Sequence, residues 1–422
     1  MTTHPEPSSA ARVPALLTTS KYLGTLATAR CLGARGVPVV VVSSTVFGPA
    51  QWSRAASRVV RGRPRTDPES MLAWLMELGT HWPGAVLHPT SDEMAWIIAR
   101  HGDELGRSFR LYSPPFSAIR SLLDKSELHR VASRIGLRTP ATIFPRSESE
   151  AERAGWQRAA FVVKPRSQVF YASHAKGAIV SGAAEVARAW RACRESPHAD
   201  GVRVDAPDIE LPMLQELVAS DGVYSISGFV TRDYEILGAR GARKVLQRPS
   251  GVGVGVCFEA APVDDALVAK LSALARAVEF FGAFEAEFVG PDRRLIDFNP
   301  RYYGQMAFDI ARGAPLPWML HLGALGHEDA LRAQPTDDPD APRVYGDHLT
   351  LRILLASRRL AGTLSADDAR KWKTWLQAHR RSAVDATLAP GDPLPAIASV
   401  LSTLWDAVRH PRGFWRSLQG AF

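Results

Sequence analysis

The sequence predicts an α/β protein that begins with a parallel sheet, continues as a mixed α+β region and ends in a helical extension. In residues 13–113, short apolar runs alternate with helical stretches, which is typical of parallel strands joined by helical crossovers. In residues 114–335, apolar runs pair across short turns, as antiparallel hairpins do. In residues 343–422, the apolar positions follow a helical period.

Length and composition limit the class of protein. The chain has 422 residues, of which 46% are hydrophobic and 22% charged, so it is long enough for several packed domains. Its 3 cysteines are far apart and form no CxxC pair, which favours a reducing compartment over a disulfide scaffold. Residues 1–12 are polar and predict a disordered lead-in, and no apolar run is long enough to span a bilayer, so we expect a cytoplasmic protein.

In the first region, polar residues follow predicted strands. The predicted strands are 15–19, 37–42, 85–87 and 109–112, and the helices between them are 25–35, 71–78 and 94–100. Ser20, Lys21, Thr90, Ser91 and Asp92 lie where strands end, which is where ligands bind in parallel sheets. Ordinary helix capping explains the same residues equally well, and both interpretations stay open.

The middle region predicts both helices and antiparallel strands. A helix is expected within 114–145, where Gly136 and Pro140 end it. A helix at 183–194 lies between predicted strands at 160–165 and 212–218. A helix at 266–281 lies between two predicted hairpins, 224–231 with 234–239 and 283–289 with 295–298. A linker rich in Asp and Pro follows at 336–342.

The second hairpin carries the strongest chemical signal. Because alternate residues of a strand share a face, Glu285 and Glu287 point together, as do Asp297 and Asn299. Carboxylate and amide oxygens are hard ligands that suit Mg²⁺, and close carboxylates repel unless a cation lies between them. Arg301 follows and could hold a phosphate or carboxylate group. A solvated surface hairpin is the alternative.

Two lysines are candidate phosphate ligands. Lys164 ends an apolar strand, where an unpaired ammonium group would be costly to bury. Lys125 stands at a predicted helix start, and taken alone it is better explained as a solvated surface residue.

Two further segments offer weaker signals. The strand Gln215, Glu216, Leu217 and Val218 could present backbone groups to a base. Arg240, Arg243 and Lys244 precede a glycine-rich run at 247–255 that could approach a phosphate or form a plain surface loop.

Taken in order, these segments resemble the ATP-grasp superfamily over residues 13–331. The resemblance implies a pre-ATP-grasp domain at 13–113, an ATP-grasp domain at 114–335 with a lid at about 139–218, and a helical extension at 343–422. It implies an ATP site and a Mg²⁺ site, with Mn²⁺ as a substitute metal. The implied ATP-binding residues are Lys125, Lys164, Gln215, Glu216, Leu217, Val218 and Asp221; the implied metal ligands are Glu287, Asp297 and Asn299; and the implied catalytic residues are Arg301 and Arg243, with Arg240 as a substitute.

Within that superfamily the chain looks most like carboxylate–amine ligases related to D-aspartate ligase and the carbamoyl-phosphate synthase large chain. The implied reaction joins a small carboxylic acid to an amine through an acyl phosphate. Two departures from the family pattern stand out: Asp297 replaces a glutamate, and the loop at 166–171 lacks the usual glycines. They motivate an alternative, a non-catalytic ATP-binding regulatory protein on the same fold.

The C-terminal region accounts for much of the net charge of +8. Its Trp and Arg residues could contact a membrane surface, although inward packing of the Trp side chains is preferred. Since a triphosphate site explains part of the basic excess, we expect no nucleic-acid partner. The oligomeric state stays open. The residues considered for the tail are Trp372, Trp375, Arg380, Arg381, Trp405, Arg409, Arg412, Trp415 and Arg416.

Overall fold

A computed structural model describes residues 10–62, 66–156, 160–172, 176–220, 222–248, 252–379 and 382–409. It contains three sheets, and the α/β and α+β character expected from the sequence is confirmed. No helix in the described part of the chain is both long and apolar enough to cross a membrane.

The first sheet is parallel, with the strand order β3-β2-β1-β4. Its strands are β1 (Ala15–Leu17), β2 (Val39–Ser43), β3 (Arg58–Arg61) and β4 (Val86–Leu87). The accompanying helices are α1 (Leu23–Gly33), α2 (Pro68–His81), α3 (Asp92–Arg100) and α4 (Gly102–Leu105). The predicted strand at 109–112 is wrong in extent, because only a bridge between Val86 and Arg110 forms there. Ser91 caps α3 by accepting a hydrogen bond from the Met94 amide at 3.2 Å.

The segment that follows contains two helices where the sequence suggested one. These are α5 (Phe116–Leu123) and α6 (Lys125–Arg134). Asp124 separates them, because its carboxylate accepts from the Ser126 amide at 2.8 Å and so caps α6. This break places Lys125 at the first residue of a helix.

A small antiparallel sheet with the order β5-β8-β6-β7 comes next. Its strands are β5 (Thr142–Ile143), β6 (Phe161–Lys164), β7 (Ala178–Val180) and β8 (Met213–Glu216). Its helices are α7 (Glu148–Gly155), α8 (Ala183–Arg194) and α9 (Asp200–Asp205). A separate apolar cluster, which includes Phe161, Val186 and Trp190, holds this sheet to α7 and α8.

The largest sheet has the order β13-β12-β9-β10-β11-β14-β15. The strands are β9 (Val223–Val230), β10 (Ile236–Arg248), β11 (Val254–Ala261), β12 (Gly282–Val289), β13 (Arg294–Asn299), β14 (Val344–Gly346) and β15 (Ala383–Asp385). Helices α10 (Asp265–Val278), α11 (Met306–Ala311), α12 (Leu316–Ala324) and α13 (Glu328–Arg332) accompany it. Both predicted hairpins are present, as β9–β10 and β12–β13.

The C-terminal region is mainly helical, but it also contributes β14 and β15 to the large sheet. Its helices are α14 (His348–Leu360), α15 (Ala366–Ala378) and α16 (Leu394–Arg409). Trp372 is 2% exposed and packs inward, whereas Trp405 is 48% exposed. Arg380, Arg381, Arg412, Trp415 and Arg416 lie outside the described residues.

Asp392 joins the C-terminal region to the first sheet. Its carboxylate accepts hydrogen bonds from Arg30 Nε at 2.9 Å, from Ser53 Oγ at 2.7 Å and from the Arg54 amide at 3.0 Å. Only 8% of the residue is exposed. A largely buried ion pair therefore ties the C-terminal region to α1.

Candidate functional site

The β12–β13 hairpin brings the predicted acidic residues together. Glu287 lies opposite Asp297 and Glu285 lies opposite Asn299 in the antiparallel register. Residues opposite each other in such a pair have neighbouring side chains. The hairpin therefore places the carboxylates of Glu287 and Asp297 side by side, and the Asn299 amide beside the Glu285 carboxylate.

Two lysines approach Asp297 from other elements. Lys125 Nζ lies 2.8 Å from Asp297 Oδ1, and Lys164, the last residue of β6, donates to the Ile296 carbonyl at 3.2 Å. Burial alone would raise the pKa of Asp297, but Lys125 and Lys164 outweigh it and hold that pKa well below its ordinary value. Burial and the neighbouring positive charge of Lys125 lower the pKa of Lys164 to about 8. The site therefore concentrates positive charge around a single carboxylate.

Lys244, rather than Arg243, faces the acids. Lys244 Nζ lies 2.6 Å from Glu287 Oε1, and the residue is 8% exposed. Arg243 lies opposite Glu259 and pairs with it at 2.8 Å, and it lines neither cavity of the site. Successive strand residues point to opposite faces, so Lys244 faces the acids and Arg243, one residue earlier, faces away from them.

Arg240 is also absent from the site, so it cannot take the place of Arg243. Its guanidinium donates to the carbonyl oxygens of Arg312 at 2.8 Å and Thr336 at 2.6 Å. It therefore ties the large sheet to neighbouring loops.

Arg301 is held in place by four acceptor atoms, one of which is the Tyr302 carbonyl oxygen, 2.8 Å from Nη1. Its Nε and Nη2 donate to the two carboxylate oxygens of Asp92 at 2.8 and 3.2 Å, and Nη2 also lies 3.0 Å from Asn299 Oδ1. Burial alone would lower the pKa of Arg301, but Asp92 raises it well above its ordinary value, so the side chain stays charged. A strand end of the first sheet thereby meets the hairpin of the large one.

Glu285 is satisfied by amide donors. Asn299 Nδ2 donates to Glu285 Oε2 at 3.1 Å, and Gln305 Nε2 donates to the other oxygen. Burial and the nearby charge of Glu287 raise the pKa of Glu285 to about 7. Its oxygens are engaged in orienting Asn299 and Gln305, which leaves Glu287 as the acid that faces Asp297.

The residues fit a divalent metal only in part. Glu287 and Asp297 offer hard oxygen ligands across one strand pair, which suits Mg²⁺. The Asn299 oxygen already accepts from Arg301. Among the described residues, no group of three or more His, Cys, Asp or Glu side chains is placed to hold a metal, so any such site uses these two carboxylates with further ligands.

A cavity of about 360 Å³ lies between the small sheet and the hairpin. Lys125 and Lys164 line one part of it, and Gln215, with the three residues that follow it, lines another. Its apolar lining includes Val162, Ile179, Val218, Val289 and Ile296. Asp221, predicted beside this strand, lies outside the described residues. The cavity thus combines an apolar wall with a cluster of lysines.

Two side chains of the strand end are fixed by neighbours. Gln215 Nε2 lies 3.3 Å from His129 Nε2, and Glu216 accepts from Arg294 at 3.1 Å and from the Ala141 amide at 3.2 Å. The side chain of Glu216 is therefore committed to structure, while Leu217 and Val218 continue past the end of β8 along the cavity.

A second cavity of about 510 Å³ adjoins the first, and we call it the charged cavity. The two share Gln168, Lys176, Lys244 and Glu287. The charged cavity is lined by polar residues from the first sheet and from the hairpin, including Lys21, Thr90, Ser91, Asp92, Glu93, Glu285, Asn299, Arg301 and Gln305. The strand-end residues Thr90, Ser91 and Asp92 therefore combine a structural role with a place at this cavity.

The site also contains three residues that were not predicted as site residues: Gln168, Lys176 and Lys244, which pairs with Glu287. The sequence signal for Lys244 was its place in the basic cluster. Only the register of β10 shows that Lys244, and not its neighbour Arg243, faces the acids. Gln168 and Lys176 lie in a loop without periodicity, where no local pattern marks the direction of a side chain.

Comparison with known proteins identifies the fold. No protein-family model and no curated protein matches the sequence. Among solved structures, the biotin carboxylase domain of Hydrogenobacter thermophilus 2-oxoglutarate carboxylase, in complex with MgADP, ADP and bicarbonate, is similar with a TM-score of 0.58 and 16% identity over 75% of this chain and 70% of that one.

Two other structures are similar over comparable lengths. An L-amino acid ligase from Bacillus licheniformis has a TM-score of 0.55 and 14% identity over 77% of this chain and 78% of that one. N5-carboxyaminoimidazole synthetase from Staphylococcus aureus, complexed with ADP, has a TM-score of 0.53 and 12% identity over 88% and 99%. The chain therefore has the ATP-grasp fold, and the resemblance is confirmed at that level.

Proposed function

We propose that this protein is an ADP-forming ligase that joins a small carboxylic acid to an amine through an acyl phosphate. The observation that carries the proposal is the meeting of two cavities at Lys244 and Glu287, beside Asp297. One cavity has the mixed apolar and cationic lining that a nucleotide needs, and the other has the charged lining that polar substrates need.

ATP occupies the first cavity in this proposal. The backbone of residues 215–218 faces the adenine between apolar side chains, and Lys125 and Lys164 contact the phosphates. Asp221 is proposed as a ribose ligand from the resemblance alone. Support comes from the solved structures of similar fold that contain ADP.

Glu287 and Asp297 would hold Mg²⁺ or Mn²⁺, with Asn299 nearby as a proposed third ligand. When bound, such an ion supplies neutralisation of charge on the phosphate oxygens. The lysines on the two carboxylates, Lys125 and Lys244, keep these acids charged and oriented toward the same space.

The chain's own residues then position two successive displacements. A carboxylate oxygen of the acid attacks the γ-phosphorus of ATP, the bond to ADP breaks, and an acyl phosphate forms. The amine nitrogen attacks the acyl carbon, the C–O bond to phosphate breaks, and the amine loses a proton. Arg301, fixed by Asp92, is proposed to stabilise the oxyanion and the departing phosphate. The loop that contains Gln168 shields the acyl phosphate from water.

The test is substrate-dependent ADP release across a panel of acids and amines. We expect release in the wild type, and a loss of at least a hundredfold in Lys164→Ala and Asp297→Ala, because each removes charge stabilisation at the phosphates. Arg243→Gln, which changes a charged residue outside both cavities, is the matched control. Undiminished turnover in either site variant would refute the proposal.

The alternative is a regulatory protein that binds ATP without turning it over. It is favoured by Asp297, whose shorter side chain is already paired with Lys125 at 2.8 Å. Tight binding of MgATP with no ADP release against the whole panel would support this alternative over the ligase.

We propose the domain boundaries given above and a cytoplasmic location as working assignments. The proposed partners are the two small substrates. Nucleic acid is not among them, and inward packing of the tail is preferred to membrane contact, with Trp372 buried and Trp405 48% exposed.

A further inference from the structure

A third cavity of about 590 Å³ lies outside the two described above, and we call it the arginine cavity. It is bordered by α6, by β5 and the residues around it, and by Arg166. His129 lines it and contacts Gln215, which lines the proposed nucleotide cavity, at 3.3 Å. The two cavities are thus separate, but one polar contact connects their linings.

Arg166 is the unusual residue of this cavity. It is only 6% exposed, and its guanidinium lies over the Phe144 ring at 5.2 Å from the ring centre. Its Nε is buried without a hydrogen-bond partner, and the described residues provide its guanidinium with no hydrogen bond or ion pair. A buried cation without a partner costs several kcal/mol, about the penalty for each desolvated ion.

Arg166 does not avoid this cost by losing its proton. Burial lowers the pKa of Arg166, while the charges of Asp124 and Asp208 act in the opposite direction through space. Arginine nevertheless stays charged in proteins. An oxyanion from outside the chain would supply the hydrogen bonds that the described residues do not give the Arg166 guanidinium.

The other charged groups around the cavity favour an anion as well. Arg130 and Arg146 also line it, and the acids that line it are Glu127 and Asp208. Glu127 is already paired with Arg130. Burial, Lys164 and Lys125 lower the pKa of His129 to about 4, so this ring is neutral near pH 7. Hydroxyl groups of Ser126, Thr139 and Thr142 complete the polar lining.

We propose that the arginine cavity binds an oxyanion, a phosphate or carboxylate group, with Arg166 as its buried anchor. The planar guanidinium can donate to such a group through two parallel N–H bonds, and Phe144 holds its plane in one orientation. Arg146 approaches from the rim as the second cation, since it is exposed and lines the same cavity.

The site is connected to the proposed active site through the backbone. The carbonyl of Arg166 accepts from the Lys125 amide at 2.9 Å, and Arg166 follows Lys164 by two residues. An anion on Arg166 would therefore act on a segment that includes Lys164 and is hydrogen-bonded to Lys125, the other proposed phosphate lysine. The binding proposal itself does not depend on the ligase reaction.

The test is isothermal titration of the full chain with inorganic phosphate and, separately, with succinate. We expect saturable binding of at least one of them, weakened at least tenfold in Arg166→Gln. Arg243→Gln, which changes a charged residue outside all three cavities, is the matched control and should retain the affinity. If the dissociation constant for phosphate is lower than that for succinate, the ligand is assigned as a phosphate group. If it is higher, the ligand is assigned as a carboxylate.

Three results would overturn the proposal. These are no saturable binding of either anion, equal binding in wild type and Arg166→Gln, or an equal loss of binding in Arg243→Gln. A second readout guards against a folding defect. In anion-free buffer, Arg166→Met should have a melting temperature at least equal to that of the wild type, because it removes an unpaired buried charge. A markedly lower value would show that Arg166 already has a structural partner.

Discussion

Lys164 should make nucleotide binding depend on pH in a range where most lysines do not titrate. Its pKa is lowered to about 8 by burial and by the positive charge of Lys125. Phosphate oxygens beside it would restore the pKa toward its ordinary value. Binding therefore requires a proton on Lys164, and nucleotide affinity should fall as the pH rises through 8.

The size of this effect follows from the protonated fraction. About three quarters of Lys164 is protonated at pH 7.5 and about 3% at pH 9.5, so the dissociation constant for ADP should rise by roughly twentyfold between these values. That is close to 2 kcal/mol at about 1.4 kcal/mol per factor of ten. The pKa of Glu285 is about 7, so most of its titration lies below pH 7.5, where the measurements begin.

The assay is calorimetric titration with ADP and Mg²⁺ in two buffers of different ionisation enthalpy. At pH 9.5 the wild type should take up close to one proton for each nucleotide bound. Lys164→Arg, which stays charged, should bind with little pH dependence and no proton uptake. A pH-independent constant in the wild type, or the same slope in Lys164→Arg, would refute the reasoning.

Three other perturbations test separate parts of the structure. Lys244→Gln should lower ADP release at least tenfold while Arg243→Gln leaves it within twofold, because only Lys244 faces the acids; equal effects in a coupled assay would contradict the corrected register. Asp392→Ala should destabilise the chain by about 2–3 kcal/mol in urea unfolding, since it leaves charged and polar donors without their acceptor. Trp372→Ala should cost about 3–5 kcal/mol by opening a cavity in the C-terminal core, and an unchanged urea midpoint would place this side chain in solvent instead.

The hairpin of Glu285, Glu287, Asp297 and Asn299 could be predicted because its information is local. Alternation along two strands and a turn of four residues, 290–293, determine which side chains meet. The order of such segments along the chain was also enough to predict the fold, because order and spacing are properties of the sequence itself.

What could not be predicted depends on distant contacts or on a choice between neighbours. The pairing of Arg301 with Asp92 joins residues 209 positions apart, and no local pattern encodes it. Arg243 and Lys244 are adjacent cations, and the register of β10 decides which one faces the acids. Strands β14 and β15 are three residues each within a helical pattern, too short for periodicity to show.

The contact between Arg30 and Asp392 can form only late in the synthesis of this protein. The two residues are 362 positions apart, so at about 5–20 residues per second a ribosome needs roughly 20 to 70 s to deliver the second after the first. The first sheet pairs strands that lie within residues 15–87, and all of these are delivered long before then. Its docking surface for the C-terminal region stays open throughout that interval, and the newly made N-terminal half is therefore exposed to chaperones and proteases until the last segment emerges.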